Sequence, residues 1–299
     1  MNLFNFVKKK IKISIDSADL NLIKKYNFDS LTSNPSLILL SFLNNSYNKI
    51  LKFFFKNNNK KILLDPDTEI SFYDYLLIFV VCNLIKFIKD KISIEIPARI
   101  SYNYNKIIIY SQKILFLCDQ FGINKNRILI KIPATDSGIK AASKLKLSGI
   151  ECNLTLIFDL NQVKKCFDNE IYIISPFVGR ISDIINCNFD SGVNFVKNIY
   201  NYKKNYNYKT KIMAASFRNL NQILNLLFCD YITISPIYFE KLLNKKINFN
   251  INDFQIFKIN FNLNFLNLIS SKLLINGIIQ FEKDHNSLIK LIYFLINNF

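Results

Sequence analysis

The residue with the clearest chemical potential is a lysine in a strongly apolar run. Lys131 stands between Ile130 and Ile132 in the segment ILIKIP, where an ammonium is costly to bury unless it is paired or neutralised. A neutral lysine amine can attack a carbonyl carbon and form a Schiff base. Glu95 interrupts a similar run, ISIEI, and offers the alternative of a plain core ion pair with Lys131. From residue types and spacing alone, the catalytic and the structural interpretations are equally supported.

Other polar residues stand where short hydrophobic runs end. They are Asp16, Thr32, Ser33, Asn34, Asn153, Thr155, Ser175, Ser216 and Arg218. If these runs are parallel strands of a barrel, their carboxyl ends meet on the face that collects catalytic groups. Simpler roles are open to several of them, since Asp16 could cap the next helix and Asn34 could serve a turn before Pro35.

Short β-branched runs alternate with segments of helical periodicity, which is typical of a chain of βαβ units. The predicted strands are 11–15, 30–33, 92–96, 128–132, 152–157, 171–175, 211–215 and 231–235. Helices are expected between them, for example at 138–146 and 220–227. Several strands are apolar on both faces, and their number favours a closed (β/α)8 TIM barrel of the α/β class. The sequence contains no GxGxxG motif, so a dinucleotide-binding fold is not indicated.

The remaining segments fit the same single domain, spanning residues 1–299. The Asn-rich stretch 43–61 is interrupted by three consecutive phenylalanines, which favours a helix with a long polar loop. Beyond residue 247 the chain is rich in Asn, Ile, Phe and Leu, and this predicts extra terminal helices that pack on the barrel.

The chain is strongly basic. Among 299 residues, Lys and Arg outnumber Asp and Glu by 39 to 22, a formal net charge of +17. Such a charge could attract nucleic acid, an anionic membrane or phosphorylated substrates. The excess lysines are scattered among asparagines, however, and Lys, Asn, Ile, Phe and Tyr are over-used together, which favours compositional drift in an A+T-rich genome. We therefore expect no nucleic-acid partner.

Cysteine usage and hydropathy indicate a cytoplasmic protein. The six cysteines form no CxxC pair and only His285 could join them, so no metal site is expected. Most lie in apolar runs, which predicts buried, reduced thiols. No secretory signal is evident, and the longest apolar run, 75–82, is far shorter than the ~18 residues of a membrane span. We expect no membrane association.

Six segments together resemble the transaldolase family, in its larger-subunit branch. They are DSLTSNPSLIL (29–39), SIEIPARIS (93–101), ILIKIPATDSGIKAA (128–142), GIECNLTLIF (149–158), ISPFVGRISD (174–183) and MAASFRNLNQIL (213–224). Shorter similarities occur at SIDSADL (14–20) and ITISP (232–236). The similarity runs in order from about residue 11 over nearly the whole chain. It implies a TIM-barrel transferase that uses no metal and no organic cofactor.

The resemblance implies a role for each of the polar positions. Lys131 matches the Schiff-base lysine, Asp16 the acid/base aspartate, and Glu95 and Thr155 the pair that holds a catalytic water. The expected substrate-binding residues are Asn34, Thr32, Asn153, Ser175 and Phe177, with Arg180, Ser216 and Arg218 at the phosphate site.

The implied reaction transfers a dihydroxyacetone unit between sugar phosphates, as in the non-oxidative pentose phosphate pathway. The donor is sedoheptulose 7-phosphate or fructose 6-phosphate, and the acceptor is glyceraldehyde 3-phosphate or erythrose 4-phosphate. Relatives of this branch are often dimers, so a homodimer is consistent with the resemblance.

Two alternatives stay open. One is an aldolase that releases free dihydroxyacetone, an activity whose enzymes tend to carry Tyr where this chain has Phe177. The other is a degraded basic barrel with a binding role.

Overall fold

Eight parallel strands close into a barrel in chain order, β1 to β8. The computed structural model describes residues 2–43, 47, 72–184, 190–246 and 264–298. The strands are β1 Lys12–Asp16, β2 Ser30–Thr32, β3 Ile92–Glu95, β4 Ile128–Pro133, β5 Cys152–Ile157, β6 Ile173–Pro176, β7 Lys211–Ala214 and β8 Tyr231–Ile234. Each lies within two residues of a run predicted from the sequence. The (β/α)8 TIM barrel is therefore confirmed.

Helices surround this barrel. They are α1 Leu3–Lys10, α2 Leu20–Lys25, α3 Pro35–Leu43, α4 Phe72–Leu84, α5 Tyr104–Gln120, α6 Asp136–Leu147, α7 Leu160–Asp168, α8 Val178–Ser182, α9 Ser191–Asn205, α10 Leu220–Leu224, α11 Pro236–Asn244 and α12 Asn264–Asn298, with 3-10 turns at Ile85–Phe87, Ala98–Ile100 and Lys125–Arg127. The helix predicted at 138–146 lies within α6. The helix predicted at 220–227 is shorter than expected. After α10 ends at Leu224, the amide of Leu226 donates to the carbonyl of Ile223 at 3.2 Å, which is the i to i−3 pattern of a tighter turn.

Strand register places the polar side chains of neighbouring strands at the same level. Asp16 pairs with Thr32 across β1 and β2, and Glu95 pairs with Lys131 across β3 and β4. Lys131 in turn pairs with Asn153 on β5. Because side chains alternate between the two faces of a strand, residues in register point to the same side of the sheet. The apolar residues between them, such as Ile130, pack on the other face.

The long helix α12 lies against the barrel and links distant parts of the chain. The Ser36 hydroxyl, at the start of α3, donates to Asp284, and the Arg99 amide donates to Glu282 at 2.9 Å. A Cβ atom on Gly277 would lie 2.8 Å from a methyl group of Leu156, closer than side chains pack. Glycine at this position therefore lets α12 approach the end of β5.

These contacts bear out part of the prediction for the C-terminal segment. Residues 264–298 form a helix packed on the barrel, whereas 247–263 lie outside the described residues. The prediction for 43–61 falls almost wholly outside them as well, since only Leu43 and Tyr47 of that stretch are described. In the parts of the chain that the structure describes, no helix combines the length and apolarity needed to cross a bilayer.

Five of the cysteines are described, and all five are buried free thiols, as the sequence predicts. They are Cys82, Cys118, Cys152, Cys166 and Cys229. Burial raises the pKa of the Cys152 and Cys166 thiols, which keeps these sulfurs protonated and unreactive. Cys187 lies outside the described residues.

The turn from β4 to α6 leads to our first prediction, which concerns stability. A Cβ atom on Gly138 would lie 2.3 Å from the carbonyl oxygen of Pro133, the last residue of β4. Gly138→Ala gains ~1 kcal/mol of helix propensity, but we expect overpacking to reverse that gain and lower the free energy of unfolding by about 1–3 kcal/mol. Urea denaturation measures the change.

Lys140→Ala is the matched control, because Lys140 is exposed on the same helix. It should change the free energy of unfolding by no more than about 0.5 kcal/mol. A Gly138→Ala protein as stable as the parent would show that the strand and helix have room to separate.

Candidate active site

The carboxyl ends of the strands surround a cavity of about 260 Å³. It is lined by Asp16, Thr32, Asn34, Lys131, Thr155, Ser175, Phe177, Arg180, Ala215, Ser216, Phe217, Arg218, Thr233, Ser235, Tyr238 and Phe281. This is the face of a TIM barrel on which active sites are built, because the loops there can vary without disturbing the core. The volume suits a small polar molecule.

Lys131 lines the cavity and is 5% exposed. Its Nζ is 2.9 Å from Oε2 of Glu95, and it also donates to the carbonyl of Ser33 at 3.3 Å. At this distance Lys131 and Glu95 form a buried ion pair. The ion pair foreseen as a structural alternative is therefore present. It does not exclude chemistry at Lys131, because the amine also borders the open cavity.

Asp16 approaches the same amine from β1. Its Oδ1 accepts a hydrogen bond of 2.9 Å from the Thr32 hydroxyl, which also contacts the hydroxyl of Thr233 at 2.6 Å. Capping is not its role, because the side chain that caps α2 is Asp19. Burial raises the pKa of Asp16, and the Lys131 ammonium and the Thr32 hydroxyl partly offset that rise.

The pKa of Glu95 is also raised, and burial is again the main cause. The Lys131 ammonium acts in the opposite direction. Among the residues that the structure describes, neither the buried carboxyl oxygen Oε1 of Glu95 nor the buried hydroxyl of Thr155 has a hydrogen-bond partner. Two unpartnered polar groups in a buried polar site are suited to share a bound water.

A chain of hydrogen bonds links β3, β5 and β6 next to these groups. Ser175 donates to Oδ1 of Asn153 at 2.7 Å, and Nδ2 of Asn153 donates to the Ser93 hydroxyl at 3.1 Å. Next to Thr155, Leu156 has a φ of 57°, in the left-handed region, where the register between β5 and β6 shifts. A bulge of this kind re-aims the side chains beside it.

Two arginines form one rim of the cavity. The guanidinium of Arg180 lies 5.2 Å from the centre of the Phe177 ring, and its pKa is lowered by burial and by the neighbouring Arg218. Arg218 donates hydrogen bonds to the carboxylate of Asp183, from Nη2 to Oδ2 at 2.6 Å and from Nε to Oδ1 at 3.0 Å. Beside it, Ser216 has a φ of 62°. Two guanidinium groups this close together are well suited to bind a phosphate.

The structure brings ten of the twelve site residues foreseen in the sequence to the cavity wall. The other two lie directly behind it: Glu95 is paired with Lys131, and Asn153 supports Ser175. Asn34 lines the cavity and also caps α3, since its side chain accepts from the Leu37 amide at 3.0 Å.

Sequence reasoning missed six of the cavity residues. They are Ala215, Phe217, Thr233, Ser235, Tyr238 and Phe281. Thr233 and Ser235 could have been found, because they are polar residues at the end of β8, the pattern that identified the others. Tyr238 and Phe281 belong to helices, where an aromatic residue gives no signal that separates a cavity wall from a core position.

Comparison with known proteins agrees with this geometry. The family model Transaldolase/Fructose-6-phosphate aldolase matches residues 13–292. A protein named Transaldolase from Wigglesworthia glossinidia brevipalpis is 43% identical over 255 residues, which cover 83% of this chain and 80% of that protein. Transaldolases from Baumannia cicadellinicola (41% identical; 81% of this chain, 80% of theirs) and Haemophilus ducreyi (37%; 79% and 78%) are also similar. The chain therefore belongs to the Transaldolase/Fructose-6-phosphate aldolase family.

Proposed function

We propose that the chain is a transaldolase that carries a dihydroxyacetone unit from a ketose phosphate to an aldose phosphate as a Schiff base on Lys131. One observation carries the proposal: a buried amine, two buried carboxyl groups and a pair of arginines converge on one small cavity. Family membership and the names of the relatives support transaldolase activity, and hence a transferase, in general terms. The covalent mechanism and the substrates are our inference from the side chains.

The first step joins substrate and protein. The Lys131 amine attacks the ketone carbon of the donor, and the resulting carbinolamine loses its hydroxyl as water, which leaves an iminium. Loss of that hydroxyl needs a proton donor. Because burial raises the pKa of Glu95, its carboxyl holds a proton to higher pH than an ordinary glutamate. Its unpartnered oxygen and the unpartnered hydroxyl of Thr155 support a relay through one bound water.

The second step breaks a carbon–carbon bond. Asp16 removes the proton of the C4 hydroxyl, the C3–C4 bond breaks, and its electron pair flows into the iminium to give an enamine. The aldose phosphate leaves. An acceptor aldehyde then reacts in the reverse sense, and water releases the new ketose from Lys131. Asp16 suits this task because its pKa is raised by burial, so that it can both accept and return a proton.

Substrate binding is shared by two sets of residues. Asn34, Ser175 and Asn153 offer amide and hydroxyl groups for the hydroxyls of the three-carbon unit. Arg180, Ser216 and Arg218 offer donors for the phosphate at the rim. Fructose 6-phosphate or sedoheptulose 7-phosphate as donors, with erythrose 4-phosphate or glyceraldehyde 3-phosphate as acceptors, would place the reaction in the non-oxidative pentose phosphate pathway of the cytoplasm.

A second function within the family is release of free dihydroxyacetone from fructose 6-phosphate, because the matching family model includes such aldolases. Phe177 favours transfer, since a phenyl ring cannot donate the proton that a phenol could. The two functions are separated by supplying fructose 6-phosphate with and without erythrose 4-phosphate. Free dihydroxyacetone as the main product in both cases would reject transfer.

The covalent intermediate can be trapped directly. With fructose 6-phosphate present, borohydride reduction should leave a dihydroxyacetone-derived adduct on the peptide that contains Lys131, detected by peptide mass analysis. Lys131→Met is the control and should remain unlabelled. Folded parent protein without an adduct would contradict the proposed mechanism.

The hydrogen bond from Thr32 to Asp16 predicts a change in pH dependence. Thr32→Val removes a donor that stabilises ionised Asp16, so the pKa of Asp16, already raised by burial, rises further. The ionised form of Asp16 is the base, so kcat falls when Asp16 becomes protonated. In Thr32→Val this fall should begin at a higher pH, and the acid limb of the kcat profile should move to higher pH by about one unit. Thr32→Ser keeps the hydroxyl and should retain the parent profile. An unshifted limb in Thr32→Val would assign that limb to another group.

Asp183 predicts a change in substrate affinity. Its carboxylate occupies the donors of Arg218 that a phosphate would need. The pair is about half exposed, so it is worth at most about 1 kcal/mol, and Asp183→Asn should lower the KM for fructose 6-phosphate by about two- to fivefold without changing kcat. Asp168→Asn, an exposed change on α7 at a residue that does not line the cavity, should leave KM unaltered. A higher KM in Asp183→Asn would mean that the carboxylate orients Arg218 rather than competing with substrate.

A further inference from the structure

An aromatic residue on α12 lies close to the Lys131 amine. Phe281, on α12, is 5% exposed and lines the cavity. The centre of its ring lies 5.8 Å from Nζ of Lys131 and 5.9 Å from the guanidinium carbon of Arg180. Arg180 thus has aromatic rings of both Phe177 and Phe281 within cation–π distance. An apolar ring this close to the amine occupies space that water would otherwise reach.

Contacts on both sides of Phe281 fix its position. Four residues earlier, Gly277 brings the helix against Leu156, and a Cβ atom there would also lie 3.0 Å from Arg180. On the other side, Glu282 accepts from the Arg99 amide, and Nε2 of the buried His285 lies 2.9 Å from Nη1 of Arg99. The ring is therefore held over the amine by the docking of the whole helix and not by a surface loop.

We propose that Phe281 shields the lysine-bound three-carbon fragment from water and thereby sets the ratio of transfer to hydrolytic release. This inference rests on the proposed function. The cavity offers the acceptor a route past the arginine rim, where its phosphate can bind. The acceptor must enter the cavity, but water must be kept from the fragment while no acceptor is bound. Phe281 serves the second requirement.

The two fates of the fragment differ in what meets the enamine carbon. In transfer, that carbon forms a bond to the aldehyde carbon of the acceptor, the new alkoxide takes a proton, and one water then releases the ketose phosphate and the free amine. In release, the same carbon takes a proton instead, and one water adds to the iminium and expels dihydroxyacetone. The second route needs a proton from solvent at the carbon, which an apolar ring beside it opposes.

The test measures both products from one reaction. Parent protein, Phe281→Ala and Phe281→Leu receive fructose 6-phosphate and erythrose 4-phosphate, and free dihydroxyacetone and sedoheptulose 7-phosphate are quantified. We expect the ratio of free dihydroxyacetone to transfer product to rise about tenfold in Phe281→Ala and by less in Phe281→Leu, because a smaller side chain admits more water. Phe281→Leu retains most of the apolar volume, so it keeps the test valid if the alanine variant does not fold.

Leu273→Ala is the matched control. Leu273 is 7% exposed on the same helix, eight residues before Phe281, and does not line the cavity. Like the Phe281 variants, Leu273→Ala removes buried apolar volume from α12, but it should leave the product ratio unchanged. A ratio that rises equally in Leu273→Ala would show that loosening of the helix, and not the ring, admits water.

Borohydride trapping separates failure of this inference from failure of the proposed function. If the parent forms the Lys131 adduct and the Phe281 variants keep the parent product ratio, the shielding role is wrong and the covalent mechanism stands. If the folded parent forms no adduct, the covalent mechanism is wrong and the shielding role goes with it.

Discussion

A lysine ammonium and a glutamate carboxyl face each other almost out of reach of water, and neither could remain charged there alone. The side chains of Lys131 and Glu95 are 6% and 3% exposed, and an unpaired charge at such a depth would cost several kcal/mol. The register of β3 against β4 supplies the partner, because it sets the two residues directly opposite one another. The rest of the site is arranged around this pair. Asp16 approaches it from β1, and β5 contributes the hydroxyl of Thr155, which has no hydrogen-bond partner among the described residues.

Apolar and polar residues of the barrel strands have different roles around this pair. Apolar side chains such as Ile130 and Ile132 hold the strands to the surrounding helices, so that the polar residues between them are free to face the cavity. The hydrogen bonds among Ser93, Asn153 and Ser175 satisfy polar groups that would otherwise be buried unpaired. Burial at this depth also raises the pKa of the Asp16 and Glu95 carboxyl groups.

Much of this arrangement could be predicted from the sequence. The strands stood out because β-branched runs recur between helical segments, and polar residues such as Asp16 and Ser175 marked the ends of those runs. Pairing of Arg218 with Asp183 and the approach of Phe281 to Lys131 were not foreseen. Both depend on how helices and loops distant in sequence pack together, and local patterns of residue type carry no information about such contacts.

The position of α12 in the chain gives the cavity an order of assembly. All eight strands are complete by Ile234, whereas the ring that approaches the amine comes from residue 281. During synthesis, which proceeds from the amino terminus, the strands emerge from the ribosome well before the residue that covers the lysine. The pocket is therefore finished only after all of the barrel strands have been made, so a nascent chain stalled after its eighth strand would carry the polar groups of the site but not their apolar cover.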